Sequence, residues 1–346
     1  MTSAWKAIQC MPESEFSSNY LFMGMVSQSP KMREVWELLH KITSSNAPAI
    51  IEGESGVGKE LIAHTIHALG KRKDGPFIPV DCGALPATLM ESELFGYEKG
   101  AFTGASQSKA GLLEYAEGGT FFMDELTNLD MSLQSKLLRV LQERRFRRLG
   151  GAELNPFNAR VVAATNDDPK RAIDEKFLRL DLYYRLSTVT IRIPPLRQRL
   201  EDIPLLARHF SAAFAKKENV RFKHFSNDAF HLLLSYDWPG NVRELKNVVE
   251  RLQLLGENDQ ISAEEIYKFS QLPLRSDNHF RARDFIYNEK RKKSIDQFEE
   301  KYIRRLMRVS GNNISRAAKI SLLSRPTIYR LIKKHAPLEN KTMTSA

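Results

Sequence analysis

Short apolar runs alternate with stretches of helical period in the first half of the chain. Four runs of strand type stand at residues 49–51, 77–80, 120–123 and 161–164. Residues 61–69 have the spacing of an amphipathic helix. This alternation is typical of βαβ units, in which helices connect the strands of a parallel sheet. The pattern therefore predicts an α/β domain with a parallel sheet.

The pattern changes after IRIPP at residues 191–195, which breaks the alternation. Beyond it the strand-like runs vanish and helical spacing dominates, at residues 203–217, 227–236, 242–255 and 263–269. Residues 274–294 are polar and basic with weak periodicity, which favours a linker. We predict a second, all-helical subdomain, then the linker, then a helix at 295–309 followed by two short helices.

Composition narrows the class of protein. The 346 residues are 42% hydrophobic and 27% charged, which is typical of a soluble globular protein with two or three domains. The chain has no apolar run of the roughly 18 residues that span a bilayer, and its start lacks the pattern of a signal peptide. Cys10 and Cys82 are too few for a disulfide framework or a zinc cluster, and we expect Cys82 to be a small buried residue. We expect a cytoplasmic protein that does not enter a membrane.

The positive charge is concentrated at one end. Of the net +10, residues 275–346 contribute +11, from 18 Lys and Arg against 7 Asp and Glu, and the remainder carries −1. A near-neutral body with a basic tail indicates that one module binds a polyanion while the other does something else. A solvated basic tail without a ligand is the alternative.

A glycine-rich segment follows the first predicted strand. The sequence GESGVGKE at residues 53–60 matches G-x-x-x-x-G-K, between a strand and a helix, as in a phosphate-binding P-loop. Backbone N–H groups of such a loop surround phosphates, and Lys59 supplies positive charge to the β- and γ-phosphates. A glycine-rich turn would explain the glycines but not the lysine. The residue after the lysine, usually Ser or Thr, is Glu60. The predicted nucleotide-binding residues are Gly53, Glu54, Ser55, Gly56, Val57, Gly58, Lys59 and Glu60.

A second segment, GGTFFMDE at residues 118–125, has the form of a Walker B strand, because an apolar run ends in two carboxylates. Asp124 is expected to hold Mg²⁺, and Glu125 to polarise the attacking water. Paired acids at a strand end can also cap a helix. The P-loop about 65 residues upstream makes that alternative weak.

The segment ESELFGYEKGAFTGA at residues 91–105 goes beyond what a generic ATPase needs. GESGVGKE, GGTFFMDE, AATN, DLYYRL, PPLRQR and WPGNVRELKNVVER accompany it. From about residue 22 to 335 the chain resembles the sigma-54-dependent transcriptional activators, the bacterial enhancer-binding branch of the AAA+ ATPases. The resemblance implies an AAA+ P-loop sheet with a helical lid, ATP and Mg²⁺ as ligands, and a small all-α DNA-binding domain.

The hexapeptide GAFTGA has a physical interpretation beside the family one. Its small residues permit a mobile, exposed loop, and Phe102 is an apolar side chain with no neighbours in sequence to bury it. A plain surface turn is the alternative. The resemblance implies that the loop contacts sigma-54 through Phe102 and Thr103 and carries nucleotide-driven motion to it. The loop consists of Gly100, Ala101, Phe102, Thr103, Gly104 and Ala105.

The resemblance assigns roles to further residues. Thr165 and Asn166 match sensor I, which reads the γ-phosphate, and Arg243 matches sensor II in the lid. Arg179 and Arg185 match arginines that reach the nucleotide of a neighbouring protomer, where they stabilise charge on the γ-phosphoryl group. Outside their motifs, each arginine would be interpreted as a surface ion pair.

One position departs from the family. Asp81 stands where the family commonly has Asn, a residue that restrains the Walker B glutamate until sigma contact. An Asp near Glu125 would add like charge instead of a neutral hydrogen bond. We therefore count Asp81 with the catalytic residues and leave open whether the switch works in the same way.

The C-terminal sequence predicts two short helices, at residues 311–320 and 324–334. Ser324 can cap the second helix, and Pro326 is tolerated in its first turn. On a 3.6-residue period an apolar face lies opposite a polar one that can meet DNA. The apolar face contains Ile328, Leu331 and Ile332, and the predicted DNA-binding residues are Arg325, Thr327, Arg330 and Lys334.

This segment resembles the Fis-type helix-turn-helix at the C-terminus of the same family. The turn departs from that motif, because Leu322 stands where glycine is usual. A three-helix protein-interaction module is the alternative. The charge of the tail favours DNA, since neutralisation of phosphates is the main source of affinity.

Together these patterns define an order of domains. We predict a short N-terminal extension at 1–21, an α/β ATPase subdomain at 22–195, a helical lid at 196–273, a linker at 274–294 and a DNA-binding domain at 295–346.

The expected function is that of an ATP-hydrolysing activator that binds double-stranded DNA upstream of promoters and remodels sigma-54 RNA polymerase holoenzyme so that promoter DNA opens. The resemblance implies a homo-oligomer, taken as a hexamer. The short extension before residue 22 suggests control in trans by a regulatory protein, or by expression level. The rival hypothesis is a DNA-binding regulator that keeps a non-hydrolysing AAA+ fold as an oligomerisation scaffold.

Overall fold

The computed structural model describes residues 21, 22, 24–272, 299, 302–311, 313–321 and 323–335. The chain divides into two compact units, Met1–Pro273 and Leu274–Ala346. The predicted linker, the extension up to residue 20 and Leu322 lie outside the described residues.

A parallel sheet forms the centre of the first unit. Within residues 24–272 it consists of five strands, β3 (Ala49–Glu52), β4 (Phe77–Asp81), β5 (Thr120–Asp124), β8 (Arg160–Thr165) and β9 (Val189–Arg192). They lie in the order β4, β5, β8, β3, β9, and each neighbouring pair is parallel. This confirms the predicted α/β sheet.

Alternate side chains of the central strands enter two separate hydrophobic clusters. In β5, Phe121 and Met123 join one cluster and Phe122 joins the other. In β8, Val161 and Val162 divide in the same way. Successive side chains of a strand point to opposite faces, so helices on both faces are needed to cover the sheet. The sheet is therefore the middle layer of three.

Helices cover both faces. The helices of this part are α1 (Pro30–Thr43), α2 (Lys59–Ala68), α3 (Ala87–Phe95), α4 (Leu112–Tyr115), α5 (Met131–Glu143), α6 (Pro169–Asp174) and α7 (Leu180–Leu186). One cluster contains apolar residues of α1 and α2, and the other contains apolar residues of α5 and α7. Two antiparallel pairs of short strands lie outside the sheet, β1 (Leu21–Phe22) with β2 (Met25–Val26) and β6 (Arg145–Phe146) with β7 (Asn155–Pro156).

The interpretation of residues 191–195 as a break was wrong in part. Val189–Arg192 form strand β9, which pairs with β3 along its full length at the edge of the sheet. The following Pro194 and Pro195 end it, because proline cannot donate to the hydrogen bonds of a sheet.

The lid subdomain follows the sheet. Its helices are α8 (Asp202–Glu218), α9 (Asn227–Ser235), α10 (Asn241–Leu255) and α11 (Ala263–Phe269). The expectation that strands vanish here was wrong in detail. β10 (His224–Phe225) and β11 (Gln260–Ile261) form a two-residue parallel pair, which is too short to show a period.

The second unit contains helix α12 at 302–310, then α13 (Ile314–Ser321) and α14 (Arg325–His335). Ser324 caps α14 as predicted, since its Oγ accepts the N–H of Thr327 at 3.3 Å. Ile328 and Leu331 are buried in a small core with residues of α12 and α13. This confirms the predicted apolar face of the last helix.

Among the residues that the structure describes, no helix has the length and apolar character needed to cross a bilayer.

Candidate nucleotide-binding site

The glycine-rich segment turns tightly between β3 and α2. Gly58, with φ of 107°, is the N-cap of α2, and Gly56 has φ of 79°. A Cβ on Gly56 would lie 2.3 Å from the carbonyl oxygen of Gly240 in the lid, so only glycine fits here. The loop therefore presents backbone N–H groups at a helix N-terminus, which is a ready-made site for phosphate.

Lys59 is the first residue of α2 and is buried. Its Nζ donates to the carbonyl oxygens of Gly53 at 2.8 Å and Glu54 at 3.2 Å. Burial lowers the pKa of Lys59, while the charges of Asp124 and Glu125 act in the opposite direction. The structure thus places the ammonium group of Lys59 between the loop and the paired acids, where it would lie close to bound phosphates and a metal ion.

The paired acids end the neighbouring strand. Asp124 is the last residue of β5, and its Oδ1 accepts the N–H of Glu125 at 2.9 Å. Glu125 has a left-handed backbone, with φ of 52°. Its Oε2 accepts a hydrogen bond from Nδ2 of Asn128 at 2.6 Å. The sequence interpretation missed Asn128, since an asparagine four residues after the end of a strand carries no distinct signal.

Thr165 and Asn166, the residues predicted to act as sensor I, differ in accessibility. Thr165, at the end of β8, is fully buried, and its carbonyl oxygen accepts the N–H of Gly53 at 3.2 Å. Asn166 is exposed. This backbone hydrogen bond joins the end of strand β8 to the start of the P-loop.

The lid contacts the P-loop through three polar side chains. Nη1 of Arg243 donates to Oγ of Ser55 at 3.1 Å. The buried Asn241 donates from Nδ2 to Glu54 at 3.1 Å and to the carbonyl oxygen of Ser55 at 3.0 Å. Arg197 forms a bidentate pair with Glu54 at 2.7 and 2.6 Å, which lowers the pKa of that carboxyl. Lid position and loop conformation are therefore coupled.

These groups surround a cavity of about 380 Å³. The P-loop, both Walker B acids and Arg243 line it, so the structure brings together residues that are far apart in sequence. Its apolar side was missed, because those residues carry no motif. That side includes Met25, Val26, Leu206, His209 and Phe210. Burial lowers the pKa of His209, which favours a neutral imidazole on this side of the cavity.

The groups around Asp124 fit a magnesium ion held jointly with phosphates. Magnesium usually takes one or two carboxylates plus substrate phosphates, not a full protein cage. Among the described residues no cluster of three or more His, Cys, Asp or Glu could hold a metal by itself. Glu60 is exposed and lies 3.9 Å from His64.

Arg179 and Arg185 lie at the start and in the last turn of α7 and are not among the residues that line this chain's cavity. Arg179 forms two hydrogen bonds with Asp181, at 3.0 and 2.8 Å. Nη2 of Arg185 donates to the carbonyl oxygen of Leu141 at 3.0 Å.

The GAFTGA segment is a closed loop between α3 and α4. The N–H of Gly100 donates to the carbonyl oxygen of Ala105 at 2.9 Å, which closes its base. Phe102 is 47% exposed, and its ring packs edge-on against Tyr97 with centroids 5.0 Å apart. The predicted exposure is confirmed, although Tyr97 covers one side. Arg148 in the β6–β7 hairpin pairs with Glu98 at 3.0 Å, so the hairpin supports the loop.

Asp81 lies at the end of β4 and pairs in register with Asp124. Its Oδ1 accepts the N–H of Gly83 at 2.9 Å, within its own turn. The following residue, Cys82, is buried as expected, and burial raises the pKa of its thiol to about 12.

The predicted DNA-binding residues of α14 differ in their contacts. Arg325 and Arg330 are exposed, whereas the hydroxyl of Thr327 lies 2.8 Å from that of Ser324. Lys334 forms an ion pair with Glu299 at 2.7 Å.

Three domain families match consecutive parts of the chain. Residues 25–192 match a sigma-54 interaction domain, 197–277 an AAA+ ATPase lid domain, and 294–335 the Fis family of bacterial regulatory proteins. The fold and site thus define an AAA+ protein with a Fis-type helix-turn-helix.

Relatives that match more than nine tenths of the chain identify its family more narrowly. The transcriptional activator RocR of Bacillus subtilis is 40% identical over 334 residues, which cover 94% of this chain and 71% of RocR. The phenol regulator MopR of Acinetobacter guillouiae is 43% identical over 327 residues, 92% of this chain and 58% of MopR. The chain therefore belongs to the sigma-54-dependent transcriptional activators, and it spans little more than half the length of MopR.

The fold is also similar to that of a solved structure. NtrX from Brucella abortus in complex with ATP has a TM-score of 0.65 and 32% identity, over 90% of this chain and 69% of NtrX.

Proposed function

We propose that this chain binds DNA upstream of the promoter, hydrolyses ATP and uses the energy to remodel sigma-54 RNA polymerase holoenzyme so that promoter DNA opens. The observation that carries the proposal is the convergence of the P-loop lysine, both Walker B acids and the lid arginine on one cavity. A scaffold that only oligomerises has no need for this set. The rival hypothesis is therefore not favoured by any feature of the site.

The chain's own residues define the hydrolytic step. Backbone N–H groups of the P-loop bind the phosphates, and Lys59 neutralises their charge. Asp124 would hold Mg²⁺, which supplies charge stabilisation at the phosphates when bound. Glu125 orients water in line with the γ-phosphate and accepts its proton as the P–O bond to ADP breaks.

We assign the transfer of nucleotide-driven motion to sigma-54 to the GAFTGA loop. The loop is exposed, closed at its base and supported by the hairpin, so it can move as a unit when nucleotide changes the chain around it. An aromatic side chain such as Phe102 is a suitable anchor for a protein partner. We assign contact with sigma-54 to Phe102 and Thr103.

DNA recognition is assigned to α14. Its exposed Arg330 can reach base edges in the major groove, because a guanidinium donates two parallel hydrogen bonds to guanine. Lys334 is held by Glu299, so we assign it contact with phosphate only after that ion pair opens.

Assembly completes the catalytic site. Because Arg179 and Arg185 are not among the residues around this chain's own cavity, their proposed role requires a neighbouring subunit. A ring, which we take to be a hexamer, places an arginine of one protomer at the nucleotide of the next. An arginine in trans stabilises charge that develops on the γ-phosphoryl group.

Two variants test the hydrolytic assignment. Lys59→Ala should abolish ATP binding, whereas Glu125→Gln should bind ATP and hydrolyse it about 10² to 10⁴ times more slowly. Nucleotide binding is measured by calorimetry and turnover by phosphate release. The matched control is Lys71→Ala, an exposed lysine just beyond α2. If Glu125→Gln hydrolyses ATP at nearly the wild-type rate, the role proposed for Glu125 in activating water is wrong.

A further inference from the structure

We propose that Asn128 is a positioning residue for Glu125 and supplies the neutral amide hydrogen bond that position 81 cannot supply in this chain. The proposal rests on the hydrolytic role proposed for Glu125. It assigns to a residue in the turn after β5 a function that the family gives to a residue at the end of β4.

Asp81 is unsuited to that function for two reasons. An ionised carboxylate accepts hydrogen bonds and cannot donate one to another carboxylate. Its Oδ1 is also engaged by the N–H of Gly83 at 2.9 Å, and its strand neighbour in register is Asp124. A donor to Glu125 must therefore come from another element.

Asn128 meets the geometric requirement. Its Nδ2 lies 2.6 Å from Oε2 of Glu125, and its backbone N–H donates to the carbonyl oxygen of Glu125 at 2.9 Å. The two residues thus form one closed turn, in which both backbone and side chain fix their relation. A Cβ on Gly83 would lie 2.8 Å from Nδ2 of Asn128, so the amide also packs closely against the turn that follows β4.

This contact restrains the base. The hydrogen bond from Asn128 occupies one acceptor site of Oε2 and fixes the direction of the carboxylate, so it must open before Glu125 can turn toward the attacking water. The turn at Gly83 leads into α3 and from there to the GAFTGA loop. Movement of that loop can therefore change the contact between Gly83 and Asn128 and release Glu125.

The test is steady-state ATP hydrolysis by the full chain in the absence of sigma-54. Asn128→Ala should raise kcat roughly 3- to 10-fold, the effect of losing one hydrogen bond, with little change in KM. Asn128 is exposed, so the fold should tolerate the change, and thermal unfolding checks it. Asn46→Ala, an exposed asparagine before β3, is the control. An unchanged or lower kcat for Asn128→Ala overturns the proposal.

Two double variants separate positioning from a purely structural effect. In a Glu125→Gln background, which is already slow, Asn128→Ala should leave kcat unchanged, because the carboxylate that Asn128 restrains is absent. Asp81→Asn combined with Asn128→Ala should return kcat toward wild type, since the amide donor is restored at the position where the family has it. The proposal is overturned if Asn128→Ala raises kcat equally in the wild-type and Glu125→Gln proteins. It is also overturned if Asp81→Asn does not lower the kcat of Asn128→Ala toward the wild-type value.

The outcomes also separate this inference from the proposed function. If Glu125→Gln alone keeps wild-type turnover, the hydrolytic assignment of Glu125 fails. If Glu125→Gln is slow and Asn128→Ala has no effect, only the role of Asn128 fails.

Discussion

Cys82 lies next to Asp81, which we count with the proposed catalytic residues, and its surroundings determine its chemistry. The Cys82 residue is 3% exposed, and burial is the main reason that the pKa of its thiol is raised to about 12. The charges of Asp81, Asp124 and Glu125 raise the pKa in the same direction. Since the thiolate is the reactive form of cysteine, a buried neutral thiol in this position should be inert.

We predict that native Cys82 does not react with iodoacetamide at pH 8, where a thiol of pKa 12 is ionised only to about one part in 10⁴. Denaturation should expose it and restore an ordinary rate. Mass spectrometry of the peptide that contains Cys82, after timed labelling of native and denatured protein, measures the difference. Comparable native and denatured rates would show that the site opens to solvent.

At the scale of secondary-structure elements, the GAFTGA loop is separated from the nucleotide cavity. Thr103 is exposed, and the loop is closed by its own hydrogen bond between Gly100 and Ala105. None of the six residues of the loop is among those that line the cavity. A change at the surface of the loop should therefore leave the groups proposed for hydrolysis unchanged.

Thr103→Ala should therefore leave ATP turnover within about twofold of wild type, as for an ordinary surface substitution. The same variant should lose binding to sigma-54 and open-complex formation. Parallel assays of phosphate release and of transcription from a sigma-54 promoter measure the two effects. Ser108→Ala, an exposed position just outside the hexapeptide, serves as the control. Joint loss of both activities, in a protein that still assembles, would mean that the loop is structural.

At the scale of the whole molecule, the chain carries only part of the proposed catalytic site around its own cavity. Lys59 and Glu125 line that cavity, whereas Arg185 lies on α7 and is bonded to the carbonyl oxygen of Leu141. Activity should then depend on assembly, because an isolated protomer lacks the charge that the transition state requires.

Mixing two inactive variants tests this dependence. Glu125→Gln and Arg185→Ala protomers should each be slow alone. An equal mixture should recover about one quarter of wild-type turnover, because one interface in four then combines an intact Glu125 with an intact Arg185. The variants are co-refolded or mixed below the assembly concentration, and turnover is measured against total protein. Failure to recover activity in confirmed mixed assemblies would argue against arginines in trans.

The sequence by itself was sufficient for the features that depend on neighbours along the chain. The P-loop is one of these, because the glycines and the start of α2 at Lys59 lie within a few residues of one another. The strand ending at Asp124 and the two faces of α14 follow from local periodicity in the same way. The order of motifs was enough to identify the family.

Only the tertiary structure decided features that arise from contacts between distant segments. Strand β9 exists because Val189–Arg192 pair with β3, and four residues at a sheet edge carry too little pattern to show this in advance. The apolar side of the cavity joins Met25 to Phe210 in the lid, which no local pattern connects. The Asn128 contact follows from the left-handed turn at Glu125, which directs two side chains toward each other beside Gly83. Side-chain contacts of this kind depend on how the backbone places each group in space, and periodicity does not encode that placement.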